Sequence, residues 1–510
     1  MIRKLFALLL FLVVPGVAHA DWYEASTPHF LVYSEDSPEH VKTFATQLER
    51  FDKALRFVRE MPEAPIGDAN RVTVFIVDDT SDVARLAHDR FAAGFYAPRA
   101  GGSVAFVPRR TSDGQFDLSP QEILLHEYTH HFMLSLSEEA AYPGWFVEGY
   151  AEFFAASTFD KDGAFHFGRP PLYRVRGLFG GGNLLPMDKL LNSDTLKLND
   201  SQREGLYGRG WLLTHYLFLG GKRDGQLSAY LKALNAGSTP LDAAKVFGNP
   251  RALDIELDHY MRGKLGGMRI APAALPIGQI TVRKLRPAEA DTMEVRIRSK
   301  GGVNERTAPD VYTAARKACA PYPDDPVAQR VLVEAAFDAR DYEGAEAAAD
   351  RVLAADPRSV DALLYKAWSK AARADRARDH SLTTWTAIRK LIGTANRIDP
   401  ENPKPLWYYY QSYQRIGATP PKLARDGLYY AFLLAPQDAH LRFDAARSYL
   451  EEHNIPKARA LLATLAWDPH HGGLSAIAAQ LLAEIDAGHA DTALDDLEKQ
   501  TRDGDKPEGS

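Results

Sequence analysis

Cysteine is almost missing from this chain: Cys319 stands alone among 510 residues. No internal disulfide can form in any compartment, so the fold must rest on its own apolar cores. Cys319 itself reads as a small packed residue, with a mixed disulfide to a partner as the alternative. An excess of positive charge is missing too. Sixty-one Lys and Arg face 67 Asp and Glu, a net of −6, which speaks against nucleic acid as a partner. Hydrophobic residues make up 45% and charged residues 25%, so neither a membrane nor a fibrous class is called for. Residues 1–20 are the exception. Arg3 and Lys4 precede an apolar run, Leu5 to Val14, and then Pro15-Gly16-Val17-Ala18-His19-Ala20. That pattern reads as a secretory signal peptide with an A-x-A cleavage site, the run being short for a bilayer span. An uncleaved anchor is the alternative. The expectation is an exported protein, periplasmic or secreted, without a stable membrane span.

His126-Glu127-Tyr128-Thr129-His130 is the most informative segment. On a helix, His126 and His130 stand one turn apart on one face, so both imidazoles can hold one metal ion. Such H-E-x-x-H helices read as zinc sites with the glutamate as general base. The helix is called for independently. Ser119 can cap, Pro120 suits the first turn, and Glu122 completes a capping box. Leu124, Leu125, Phe132 and Leu136 then supply apolar positions around the histidines. A second helix starts at Tyr142-Pro143-Gly144 and runs through Trp145 to Ala155, with Glu148 and Glu152 on one face. Two buried carboxylates would repel unless something cationic lay beside them. Glu148 as third metal ligand, and Glu152 accepting the other ring N–H of a ligand histidine, would meet that need. His131, His470 and His471 are not assigned to a metal.

H-E-x-x-H followed by W-x-x-E-G-x-A-E resembles the gluzincin zinc peptidases, which include the aminopeptidase-N-like and thermolysin-like families. The resemblance covers residues from about 25 to 265 and rests on those two short motifs. It implies one zinc ion on His126, His130 and Glu148, Glu127 as base, and Glu152 as the outer partner of a ligand histidine. It also implies a Tyr or His that stabilises the oxyanion about sixty residues after the glutamate ligand. Tyr207 sits near that distance, with His215 and Tyr216 as rivals. Aminopeptidase-N-like enzymes carry a G-x-M-E-N type segment whose glutamate holds the substrate's amino terminus. The comparable region here, Gly94 to Val107, has no carboxylate. Ser103 to Val107 reads instead as a short strand after a Gly-Gly turn. In gluzincins a strand at this place forms the sheet edge on which extended substrate pairs, and this favours endopeptidase action.

Strand and helix patterns alternate before the zinc helix: Phe30–Tyr33, a helix through Val58, Val72–Val77, then Ser81–Phe91. Helical patterns dominate to about 265, including Ser201–Leu219 and Leu253–Lys264, with Phe179-Gly180-Gly181-Gly182-Asn183 as a loop. Residues 266–302 read as a linker in which Gln279–Val282 and Met293–Ile297 could pair as a hairpin. Beyond 303, Pro323, Pro357, Pro400, Pro436 and Pro469 recur at spacings of 34, 43, 36 and 33 residues. Thirty-four is the tetratricopeptide period, a helix–turn–helix unit, and the second unit carries about ten extra residues. Trp368, Trp407, Tyr408, Tyr409 and Tyr410 either line a concave groove or form inter-repeat core. Residues 491–510 read as a disordered tail.

The expected architecture is therefore an α+β zincin-like domain over 21–265, followed by an all-α, tetratricopeptide-like solenoid over 303–490. The expected function is an exported zinc endopeptidase acting on protein or peptide, with a protein partner on the repeats. A non-catalytic repeat scaffold of the cell envelope, or an aminopeptidase, is the alternative.

Overall fold

A computed structural model describes residues 21–62, 65–90, 92–111, 118–135, 141–179, 185–467 and 472–494. The signal segment 1–20, Leu136, Gly180–Asn183 of the glycine loop, Pro469, His470, His471 and the tail from 495 lie outside the described residues. No helix among the described residues is long and apolar enough to cross a membrane.

The N-terminal half is α/β. Strands β1 (Tyr23–Ser26) and β2 (Phe30–Ser34) lead into helix α1 (Pro38–Val58), and β3 (Val72–Asp79) into α2 (Thr80–Ala87). Ser37 and Asp79 cap these helices with their side chains. Strands β4 (Phe95–Ala97) and β5 (Val104–Arg110) precede α3 (Pro120–Ser135) and α4 (Gly144–Ala155). Beyond α4 come β6 (Thr158–Phe159), β7 (Phe165–Phe167), α5 (Val175–Phe179), α6 (Met187–Leu190), α7 (Asp200–Leu219), α8 (Gln226–Asn235), α9 (Pro240–Ala243) and α10 (Pro250–Met261).

The principal sheet has the order β4-β5-β3-β2-β1-β9, with β9 at Thr281–Lys284. Its central strands β2, β3 and β5 are parallel; β1, β4 and β9 run antiparallel to their neighbours. Alternation along the strands gives it two apolar faces. Phe30, Val32, Val74, Ile76, Ala105 and Val107 share a core with α1, α3 and α4. Tyr33, Phe75, Val77, Val104 and Phe106 share another with α2 and residues 293–297.

Two expectations are corrected here. Val104–Val107 is a strand, yet it is not the sheet edge: β4 pairs with it over Val104–Phe106 and occupies that edge. The reason is local, since Gly101 and Gly102 at φ 67° and 117° fold the chain back into a hairpin. The proposed hairpin in 266–302 does not form either. β8 (Met268–Ile270) pairs with β7, β9 pairs with β1, and Met293–Gly301 is helical.

The C-terminal half is a stack of helices. After α11 (Pro287–Asp291) and α12 (Met293–Gly301) come α13 (Ala308–Cys319), α14 (Pro326–Asp338), α15 (Tyr342–Ala355), α16 (Val360–Ala377) and α17 (Leu382–Ile398). α18 (Pro403–Gln414), α19 (Lys422–Leu434), α20 (Ala439–Glu451), α21 (Ile455–Ala466) and α22 (Gly472–Asp486) complete it. Pro323, Pro357, Pro400 and Pro436 fall in the connections that open the pairs α14–α15, α16–α17, α18–α19 and α20–α21. Asp325, Ser359, Asn402 and Asp438 cap the first helix of each pair. The extra residues of the second unit lengthen both its helices, to 18 and 17 residues against 12 to 14 elsewhere in these pairs. Small buried residues such as Ala348, Ala349, Ala431, Ala445 and Ala446 let neighbouring helices approach.

The aromatic cluster divides. Tyr410 and Trp407 are buried in the repeat core, and Trp368 and Tyr408 face a cavity with ring centroids 4.3 Å apart. Tyr409 turns to Tyr413. Cys319 is buried, its thiol pushed up to about 11 by burial and donating to the Ala328 carbonyl. The supposed tail begins later than residue 491, because Ala493 and Leu494 pack into the end of the repeat core.

Candidate metal centre

α3 starts as its sequence dictates. Glu122 N–H donates to Ser119 Oγ at 3.2 Å and Ser119 N–H to Glu122 Oε2 at 2.8 Å, a reciprocal capping box. The helix then runs between the sheet and α4, burying Leu124, Leu125, Tyr128, Thr129 and Phe132. Its back is tied to α1 by buried polar groups. Tyr128 Oη donates to Asp52 at 2.7 Å, and Arg56 holds the same carboxylate at 2.6 and 3.0 Å. His131 also points away from the motif face, with Nδ1 at 2.5 Å from Tyr96 Oη; burial pushes its pKa down to about 4.

On the opposite face three donors converge. His126 Nε2 lies 3.0 Å from His130 Nε2 and 3.4 Å from Glu148 Oε2, while His130 Nε2 is 3.6 Å from that same oxygen. Donors at bond lengths of ~2.0–2.1 Å around a tetrahedral ion stand ~3.3–3.4 Å from one another. The triangle of two imidazole nitrogens and one carboxylate oxygen therefore has the size and chemistry of a divalent-metal site, and the three residues could hold one ion. That donor set does not single out zinc.

Glu152, one turn beyond Glu148, is fully buried. Its Oε1 lies 3.4 Å from His126 Nδ1, the ring nitrogen turned away from the triangle. Two residues that the sequence reading missed hold it there. Arg174 Nε donates to Oε1 at 2.9 Å and Tyr173 Oη to Oε2 at 2.8 Å. Both come from a single turn at Leu172–Arg174, and nothing in their local pattern marks them. Burial alone would lower the His126 pKa, but the carboxylates of Glu148, Glu152 and Glu127 outweigh it and raise it.

Tyr207, on α7, brings its ring to 6.2 Å from His126, and the Arg174 guanidinium lies over that ring at 4.2 Å. Glu148 first, then burial, raise its pKa well above the usual phenol range, so the hydroxyl keeps its proton. The rivals are engaged elsewhere. His215 is buried between the Gly266 carbonyl and Tyr260 Oη, each 2.9 Å away, and Tyr216 donates to Glu256. α7 reaches the site because glycines face glycines. A Cβ on Gly149 of α4 would stand 2.4 Å from the Gly210 carbonyl, and one on Gly208 would stand 2.4 Å from the Gly177 carbonyl carbon. The Gly208-x-Gly210 pair was the readable signal for this close approach.

No family model and no curated protein matches the chain. A solved structure described as a thermophilic TPR protein in Thermus thermophilus matches at 18% identity, covering 38% of this chain and 95% of that one, with a TM-score of 0.32. A likeness of that size carries nothing about the metal centre. The fold and the site themselves define an α/β domain with a two-histidine, one-carboxylate centre, joined to a helical-repeat region.

Proposed function

We propose that the protein is an exported zinc-dependent hydrolase of peptide bonds, acting as an endopeptidase, with Glu127 as general base. The observation that carries this reading is the His126–His130–Glu148 triangle with Glu127 beside it on α3. Zinc held there would supply a Lewis acid that polarises the scissile carbonyl and acidifies water. Glu127 takes the proton from the attacking water at its carboxylate and hands it to the leaving amine nitrogen. The pull of its carboxylate on the His126 and Tyr207 protons supports that role. The Tyr207 phenol donates to the developing oxyanion. Glu152, clamped by Arg174 and Tyr173, orients the His126 ring.

Endopeptidase action is supported by the edge strand β4, which runs beside α3 and offers extended backbone a partner. The carboxylate-free stretch Gly94–Val107 has no anchor for a free amino terminus. Export is supported by the basic and apolar pattern of residues 1–20. A second reading, a non-catalytic scaffold that binds protein through its repeats, is favoured by the stacked helix pairs. Cleavage of unfolded casein by the zinc-loaded protein and by Glu127→Gln separates the two. A hydrolase loses turnover in the variant and keeps one zinc per chain. Equal cleavage by both, or none by either at full zinc loading, removes the catalytic reading and leaves the scaffold.

A further inference from the structure

The repeats and the N-terminal sheet together line a cleft. The first helices of the repeats face the sheet on the side away from the metal centre and form with it a cleft of about 650 Å³ that is partly open to solvent. Contacts at its rim lock the two halves together. Asp438 accepts from Ala100 N–H at 2.7 Å, Arg99 donates to the Lys300 carbonyl at 2.8 Å, and Asn70 donates to the Glu401 carbonyl at 3.1 Å.

The lining is patterned. Arg330, Glu334 and Phe337 on α14, Asp361, Tyr365 and Trp368 on α16, and Lys404, Tyr408 and Gln411 on α18 each recur at helical spacing. Leu31, Tyr33, Thr73 and Phe75 of the sheet form the facing wall. One region is aromatic: Tyr365, Trp368 and Phe337 have ring centroids 5.0–6.0 Å apart, and Tyr408 meets Trp368 at 4.3 Å. Elsewhere aliphatic residues alternate with charged ones, eight Arg and Lys against six carboxylates, the reverse of the balance of the whole chain.

Several of these cations have no carboxylate within ion-pair distance among the described residues. Lys300 pairs with Glu334 at 2.7 Å, but Arg99, Arg296, Arg330 and Lys404 make no such pair. Arg296 lies instead over the Tyr33 ring at 4.4 Å. The acids among them are weakened or outnumbered. Burial, with Glu334 nearby, pushes the Asp338 carboxyl up to about 7. Asp361 faces Lys404, Lys300, Arg330 and Arg296 together, and they hold its pKa down against the effect of burial. Burial lowers the Lys404 pKa, and Asp361 only partly offsets this. Lys404 and Arg296 are half-buried and Arg330 is exposed to the cleft; a half-buried cation without a close carboxylate is costly, and an anion entering would relieve that cost.

We propose that this cavity binds an organic anion, a carboxylate or a phosphate monoester, that also carries a flat apolar group. The anionic group sits against Lys404, Arg330 and Arg296, and the apolar group lies among Trp368, Tyr365 and Tyr408. The volume suits a ligand of drug-like size or a short peptide. The site is independent of the metal centre, which lies across the sheet.

Isothermal titration of the full chain with N-acetylphenylalanine, phenyl phosphate and the uncharged N-acetylphenylalanine amide tests this. The expected result is saturable one-to-one binding of at least one anion, with the amide at least tenfold weaker. The stronger of the two anions identifies the headgroup. Lys404→Met combined with Arg330→Gln should weaken that binding at least tenfold while zinc content and melting temperature hold. Equal binding of acid and amide, no saturable binding of either anion below ~5 mM, or undiminished binding by a folded double variant would each overturn the proposal. If the double variant does not fold, the acid–amide comparison on the unaltered protein still decides.

Discussion

Gly149→Ala tests whether the close approach of α4 and α7 seats Tyr207 at the candidate metal centre. The added methyl would meet the Gly210 carbonyl carbon and oxygen at 2.4 Å and Thr214 Oγ1 at 2.7 Å. Ordinary contact needs ~3.4 Å or more, so the helices must part by about 1 Å. Backbone atoms cannot rotate away as a flexible side chain would. α4 is buried along nearly its whole length and α7 from Gly208 to Leu217, so a parting of the two helices shifts Tyr207 relative to the ligands on α4. Replacing a helical glycine by alanine gains up to ~1 kcal/mol of propensity, while overpacking costs ~1–3 kcal/mol or more. Backbone clashes at two atoms belong at the upper end, which leaves a net loss of about 2 kcal/mol in urea denaturation. All three candidate ligands sit on α3 and α4, so zinc affinity, measured by competition with a chelator, should stay within about threefold. Tyr207 rides on α7. A displacement of about 1 Å can cost up to ~100-fold in kcat, and loss of one oxyanion donor sets a ceiling of ~100–1,000-fold. The signature is a fall in kcat at nearly constant metal affinity. A variant as stable as the parent with unchanged kcat would show that this helix contact does not position Tyr207.

Two further perturbations address charges that the sequence did not advertise. Arg174→Gln leaves Glu152 buried with Tyr173 and His126 alone. Zinc affinity should fall ~10–100-fold and stability by about 3 kcal/mol, read by chelator competition and urea denaturation, and unchanged affinity would remove Arg174 from the site. Asp338 has its carboxyl pKa raised from 3.8 to about 7, so between those values the folded state binds more protons than the unfolded chain. Its contribution to stability is therefore full below about pH 4 and is lost as pH rises through 7. The shift sets an upper bound of about 4 kcal/mol, and partial exposure in the cavity brings the expected effect to about 1–2 kcal/mol. Asp338→Asn should be more stable than the parent at pH 8 by that amount and equal to it at pH 4. Parallel pH profiles of urea midpoints for the two proteins would refute the assignment.

What the sequence made legible was local, and what it hid depended on contacts across the chain. The capping box of α3, the one-turn spacing of His126 and His130, and the Glu148–Glu152 face all follow from helical geometry within a few residues. The repeat boundaries were readable for the same reason, since a proline after a capped pair of helices is a short-range event. Strand partners are not. Tyr23 opposes Lys284 across the sheet, a pairing that no window of sequence contains. Met293–Ile297 shows the deeper difficulty. Its apolar and polar residues alternate as a strand's would, and its burial alternates too. The segment is nevertheless a helix, because it is sandwiched. Met293 and Ile297, one turn apart, pack on the sheet, and Val295 packs on the opposite side with α13 and α14. A helix that buries two opposed faces imitates the period of a strand. The same sandwiching turns Arg296 and Lys300 into the cavity between sheet and repeats. The segment read as a linker is thus the joint that places the repeat region against the α/β domain and supplies part of the charge between them.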